Sequence, residues 1–197
     1  MNKKQIRALY DNDTITVYQA YNYLIAHTAI KNQTFVSPPF KIERMTWIKP
    51  SFLWMMYRSG WAMKENQECI LAIRIKREGF EWALQNSCMS RFDSSIYTSF
   101  KVWKEKLKSS PVRIQWDPEK DIRLQELPYR SIQIGLTGIA VGKYVSEWIM
   151  QIDDITENCK SIYQLVRDGK IDQAIDLLPN EQLYPLPDCI GQEINAS

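Results

Sequence analysis

Residues 14–21, TITVYQAY, alternate in polarity and are rich in β-branched and aromatic side chains. That period of two predicts a strand, with Val17, Gln19 and Tyr21 on one face and Tyr18 on the other. The period then changes. In residues 22–33, Leu24, Ile25, Ala29 and Ile30 share one helical face, and Asn22 suits the N-cap. SPPF (37–40) breaks the chain. A helix is predicted from Pro50, whose missing N–H is tolerated in a first turn, to Gly60, a natural C-cap. Residues 68–76 read as a strong strand, 77–87 as a short helix and 99–108 as an amphipathic basic helix. PVRIQWD (111–117) and RSIQIGL (130–136) read as neighbouring strands.

Residues 138–152 read as one helix despite Gly142, which costs about 1 kcal/mol against alanine. ITENCKSIYQLVRDG and KIDQAIDLLP read as two helices that turn at Gly169. Strands and helices interleave early and helices cluster late. The pattern predicts the α+β class, with a single mixed or antiparallel sheet, flanking helices and a C-terminal helical hairpin. Residues 1–152 are expected to form the core domain and 153–187 a helical appendage packed on it. Residues 188–197 are expected to be a frayed tail.

Composition narrows the class. The 197 residues are 45% apolar and 24% charged, an ordinary globular balance. No apolar run approaches the roughly 18 residues that cross a bilayer, so no membrane partner is expected. The N-terminus is basic but has no apolar signal core. Four scattered cysteines, no CxxC pair and a single histidine, His27, predict free thiols, a cytoplasmic location and no metal. The net charge of +2 hides an asymmetry: residues 1–113 hold 18 Lys/Arg against 9 Asp/Glu, and residues 114–197 hold 7 against 14. Such a basic part attracts anions such as nucleotides or nucleic acid, and equally attracts the acidic part of its own chain.

Candidate chemistry concentrates in residues 44–61, RMTWIKPSFLWMMYRSGW. Helical spacing places Trp54, Tyr57, Arg58 and Trp61 on one side, a stripe suited to stacking a base or holding an anion. Phe52, Leu53, Met55 and Met56 are left to face the core. Arg44 precedes this helix, and Thr46, Lys49 and Ser51 gather at its start, where free N–H groups favour phosphate. The same stripe equally describes a buried amphipathic helix. Gln19, between Tyr18 and Tyr21, has the groups to read a base edge or a ribose hydroxyl. Arg113, Gln115 and Asp117 share one strand face. Arg130 opposes Ser131 and Gln133 across the next strand. Trp103 in the basic helix 101–108 is placed to contact a phosphate backbone. No Walker loop, GxSxG, HExxH or GxGxxG occurs.

IRALYDNDTITVYQAY, MTWIKPSFLWMMYRSGW, ILAIRIKREGFEWAL, SPVRIQWDPEKD and LPYRSIQIGL closely resemble the uncharacterised domain-of-unknown-function 4291 family, over roughly residues 4–187. That resemblance brings no activity with it. The order of elements is also similar to the ADP-ribosyltransferase fold. This weaker similarity implies NAD as cofactor, with Gln19 on the first strand and Gln133 on the last as the catalytic positions. Gln19 stands where those enzymes carry Arg or His. Three readings follow: a nucleotide- or nucleic-acid-handling enzyme of the glycosyl- or ADP-ribosyl-transferring kind, a non-catalytic module for RNA or single strands, and a protein-interaction domain.

Overall fold

The computed structural model describes residues 3–196. Its elements, in order, are β1 (Lys3–Lys4), β2 (Arg7–Ala8), β3 (Thr14–Tyr21), α1 (Tyr23–Asn32), β4 (Thr46–Ile48), α2 (Phe52–Ser59), β5 (Cys69–Lys76), α3 (Arg77–Gln85) and β6 (Ser87–Met89). There follow α4 (Phe100–Ser109), β7 (Val112–Lys120), β8 (Glu126–Leu136), α5 (Ile139–Lys143), β9 (Ile149–Asp154), α6 (Thr156–Arg167), α7 (Ile171–Asp176), β10 (Gln182–Leu183) and α8 (Asp188–Glu193). The fold is α+β.

Two hydrogen-bonded groups of strands carry the architecture. One runs β1-β8-β7-β6, with β4 also on β8; the other runs β3-β5-β9. They join where Tyr18 N–H donates to Lys49 O at 2.7 Å, which curls the strands into one mixed sheet around a cleft. As expected, β7 and β8 are neighbours: they pair antiparallel, with Gln115 opposite Gln133 and Asp117 opposite Ser131. These four polar residues therefore share a face. Ile114, Trp116, Ile132 and Ile134 take the other, which is core.

The β3-β5-β9 layer separates two apolar clusters. Ile15 and Val17 of β3, with Leu71, Ile73 and Ile75 of β5, enter the main core. Tyr18 and Ile70 enter a second core with Phe52, Met55 and Met56 of α2, and Cys159 and Ile162 of α6. Alternation in β3 thus feeds both cores. The α6–α7 hairpin turns at Gly169, which sits at φ 74°.

Three local expectations need correction. Pro50 lies before α2, and Ser51 is the cap, its hydroxyl accepting from Trp54 N–H. The run 138–152 is not one helix: α5 passes into a π-helical turn, Tyr144–Trp148, and then becomes strand β9. There Ile152 meets Ile73 of β5, so burial on the sheet outweighs the helical spacing. The described part of the tail, residues 188–196, is also ordered. It forms α8, whose Ile190, with Ile194 just beyond, is buried in the main core, and Trp116 Nε1–H donates to Ile194 O at 2.9 Å. Gly79 of α3 is required by close packing, since a Cβ there would lie 2.4 Å from Cγ of Trp148.

Candidate functional site

The cleft lies between the end of β3, the strand β4 and the exposed end of α2. Its cavity of about 410 Å³ is lined by Gln19, Tyr21, Arg44, Thr46, Trp47, Lys49, Trp54, Arg58, Asn66, Gln67 and Gln133, among others. A second cavity of about 360 Å³, reaching Ile25 and Phe40, shares Tyr21, Arg44, Met45, Thr46 and Asn66 with it. The two are neighbours, and these five residues, Arg44 and Thr46 among them, form their common wall. Both volumes fall in the range of roughly 300–1,000 Å³ typical of small-molecule sites.

Lys49 follows β4 directly and is 1% exposed. Its ammonium sits 3.2 Å from Asp117 Oδ2 and 3.8 Å from the centre of the Trp54 ring. Burial pulls it down to about 8; Asp117 and Glu119 oppose that fall. It therefore gives up its proton at lower pH than a surface lysine does. Asp117 is held on its other oxygen by Gln115 Nε2–H at 2.7 Å. Ser131 lies on the same face, and its Oγ is the one buried side-chain polar atom without a partner among the described residues.

Gln19 is 2% exposed, and its side chain holds the cleft wall together. Nε2 donates to Thr46 Oγ1 at 2.8 Å, Trp47 O at 3.0 Å and Tyr21 Oη at 3.0 Å. Its Oε1 accepts from Tyr144 O–H at 2.8 Å. Two N–H groups already serve three acceptors, so Gln19 positions the Thr46 and Tyr21 hydroxyls and offers no donor to a ligand. The Tyr21 phenol is pushed up to about 12, by burial against hydrogen bonds from Thr46 and Gln19. It stays protonated.

Several expected site residues lie elsewhere. Tyr18 turns into the second core, edge-on to Phe52 at 5.5 Å. Trp61 is past the end of α2, at φ 57°, and stacks on Tyr163 at 5.6 Å, so the four-residue stripe does not form. Tyr57 is exposed and edge-on to Trp54 at 6.5 Å but does not line the cleft; Lys120 Nζ lies 4.0 Å from its ring centre. Arg113 caps the C-terminal end of α4, donating to the carbonyls of Leu107 and Ser110. Arg130 donates to Trp116 O and faces a different cavity.

The start of α2 is also not an open anion site. Phe52 N–H donates to Glu181 Oε1 at 2.7 Å, and the Ser51 hydroxyl donates to Glu119 Oε1 at 2.7 Å. The chain's own carboxyl groups occupy the place expected for phosphate. Burial, with Glu119 adding, pushes Glu181 up to about 8. Nothing local marks Glu181: it comes from a segment 129 residues away in sequence. Asn66 and Gln67 of the cleft likewise stand in an unremarkable polar turn. Among the described residues no three His, Cys, Asp or Glu side chains gather as a metal site.

Cations therefore come from the cleft itself. Arg44 and Arg58 are exposed at its mouth, and Arg58 Nη1–H donates to Gln67 Oε1 at 3.1 Å. Trp47 offers ring surface, Trp54 lines the cleft but is buried with the Lys49 ammonium over its ring, and Thr46, Tyr21 and Gln133 offer polar groups. Such a set suits an anionic ligand with a planar ring.

No curated protein matches this chain. A family model matches residues 5–184, nearly the whole length, and the chain belongs to that family, the domain of unknown function DUF4291.

Proposed function

We propose that the cleft takes a dinucleotide of the NAD type and that the protein is a nucleotide-handling enzyme of the ADP-ribosyl-transferring kind. The observation that carries this reading is the pair of adjacent cavities that share Arg44 and Thr46 in their walls. A two-lobed ligand with a charged bridge matches two compartments with a cation at the junction. One lobe lies near Trp47, Trp54 and Lys49; the other lies near Ile25 and Phe40. Lys49 is the cleft group best placed to exchange a proton with a reacting hydroxyl or amine, with Asp117 behind it as its ion-pair partner. Gln133 reaches the cleft from β8, and Gln19 supports the wall. Four free thiols, three of them buried, support a reducing compartment such as the cytoplasm.

The test is thermal melting of the full chain with NAD, ADP-ribose and ATP at about millimolar concentration. At tenfold excess over Kd, binding adds about 1.4 kcal/mol, a rise of about 3–5 °C for a chain of this length. The rise is expected with NAD and is lost in the R44A/R58A protein. No shift with any nucleotide removes the reading.

A further inference from the structure

Asp117 also lines a third cavity, of about 330 Å³, on the far side of its ion pair with Lys49. Arg91, Arg130, Lys4 and Gln115 surround it. Met89 and Arg91 of its lining connect it to the neighbouring helix α4, through Trp103 on Met89 and through Phe92, next to Arg91 in the chain. That helix buries no residue completely and leaves Phe100 52% exposed, beside Phe92 at 39%. Phe92 and Phe100 lie edge-on at 5.8 Å, and Trp103 is 5.0 Å from Phe100. Trp103 is anchored by Nε1–H donating at 2.9 Å to the carbonyl of Met89, a residue that lines the cavity. Lys101, Lys104 and Lys108 follow at i, i+3 and i+7, one stripe beside these rings. Lys104 Nζ stands 5.0 Å from the Phe100 ring centre. Against these cations stand Glu105, Asp117, which is already held by Lys49, and Asp93, 3.6 Å from Lys4.

Solvated rings beside a row of cations are poor company for water, for an apolar protein surface and for a rigid duplex. They suit a flexible polyanion that carries its own flat rings. Unpaired bases stack on aromatic side chains without regard to sequence, while lysines follow the phosphates. We propose that Phe92, Phe100 and the α4 lysines, with the cavity between Arg91 and Arg130, form a binding face for single-stranded nucleic acid. The face is distinct from the dinucleotide cleft. The Lys49–Asp117 pair is the partition between them, so a strand lying here has its nearest nucleotide beside Asp117, the ion-pair partner of the lysine assigned to proton exchange.

The test is fluorescence anisotropy of a labelled oligouridylate of about 12 nucleotides with the full chain. Binding is expected to fall with salt at a log–log slope of about −2 to −3, as three or four phosphates are neutralised. F92A/F100A is expected to weaken it by about fivefold or more. K101A/K104A/K108A flattens the slope by about 2. K31A, on the remote helix α1, leaves binding unchanged. All these side chains are exposed, and unchanged melting of each variant confirms its fold. Absence of binding at low salt overturns the proposal, as does binding indifferent to both sets of variants. Equal competition by a duplex, or preferential binding to vesicles of anionic phospholipid, overturns it too. The NAD melting shift is measured on the same F92A/F100A protein, so failure of one site is told from failure of the other.

Discussion

Replacing Lys49 with methionine separates a residue that holds the fold from one kept for chemistry. The side chain is almost fully enclosed, and methionine fills nearly its volume without charge. The fall of its ammonium from 10.5 to about 8 corresponds to about 3 kcal/mol of unfavourable placement at neutral pH. Below pH 8 the group is protonated in both the folded and the unfolded chain, so the whole cost is present. Between pH 8 and 10.5 the unfolded chain keeps the proton longer, and stability rises with pH. That figure already includes the attraction of Asp117, so what stands against the gain is the amine donor itself: Asp117 loses it but keeps the Gln115 hydrogen bond and some solvent. That loss is worth about 1–2 kcal/mol. K49M is therefore expected to be more stable at pH 7 by about 1–2 kcal/mol, a rise in Tm of about 2–8 °C. It is also expected to lose nucleotide binding and the alkaline rise in stability. Calorimetric melting from pH 7 to 10.5 measures all but the binding. A loss of the roughly 3–5 kcal/mol typical of a broken buried pair would refute the reasoning. Lys49 would then be a strut.

Three further outcomes follow from the packing. Glu181 holds its proton more tightly when folded, so its contribution is complete below pH 4.5 and is lost as pH rises to about 8. E181Q should stabilise the chain by about 1–3 kcal/mol at pH 7 and flatten urea midpoints across that window. Ending the chain after Pro187 removes Ile190 and Ile194 from the main core; urea unfolding should show a loss of about 3–6 kcal/mol, and a loss below 1 would mark α8 as a bystander. G79A drives a methyl group into the Trp148 ring and should cost about 1–3 kcal/mol by the same measurement.

Much of the fold was legible because local signals agreed with burial. The alternation of β3, the Asn22 cap, and the Gly60 stop each act within a few residues, and each is where the sequence puts it. The errors occur where a distant partner decides. Residues 149–154 keep a helix-like spacing, yet β5 offers them an edge. Ile190 and Ile194 stand four apart, a visible helical pair, but only the main core and Trp116 give them a reason to order. Within the candidate site, Arg44, Lys49, Trp54, Arg58 and Gln133 line one cleft. Ser51 and Trp61 belong to the same quoted stretch and are not available, because capping and a left-handed turn redirect them. Helical spacing applies only as far as the helix runs. Where α2 stops at Gly60, the i+7 relation of Trp54 to Trp61 stops with it.

The central claim is that Arg44, Lys49 and Arg58 make the cleft a nucleotide site. Isothermal titration of NAD into the wild-type and R44A/R58A proteins tests it most directly. One site per chain is predicted, with affinity weakened by about tenfold or more in the variant, as lost charge-assisted hydrogen bonds require. Titrations without heat, or equal affinities for the two proteins, would contradict it.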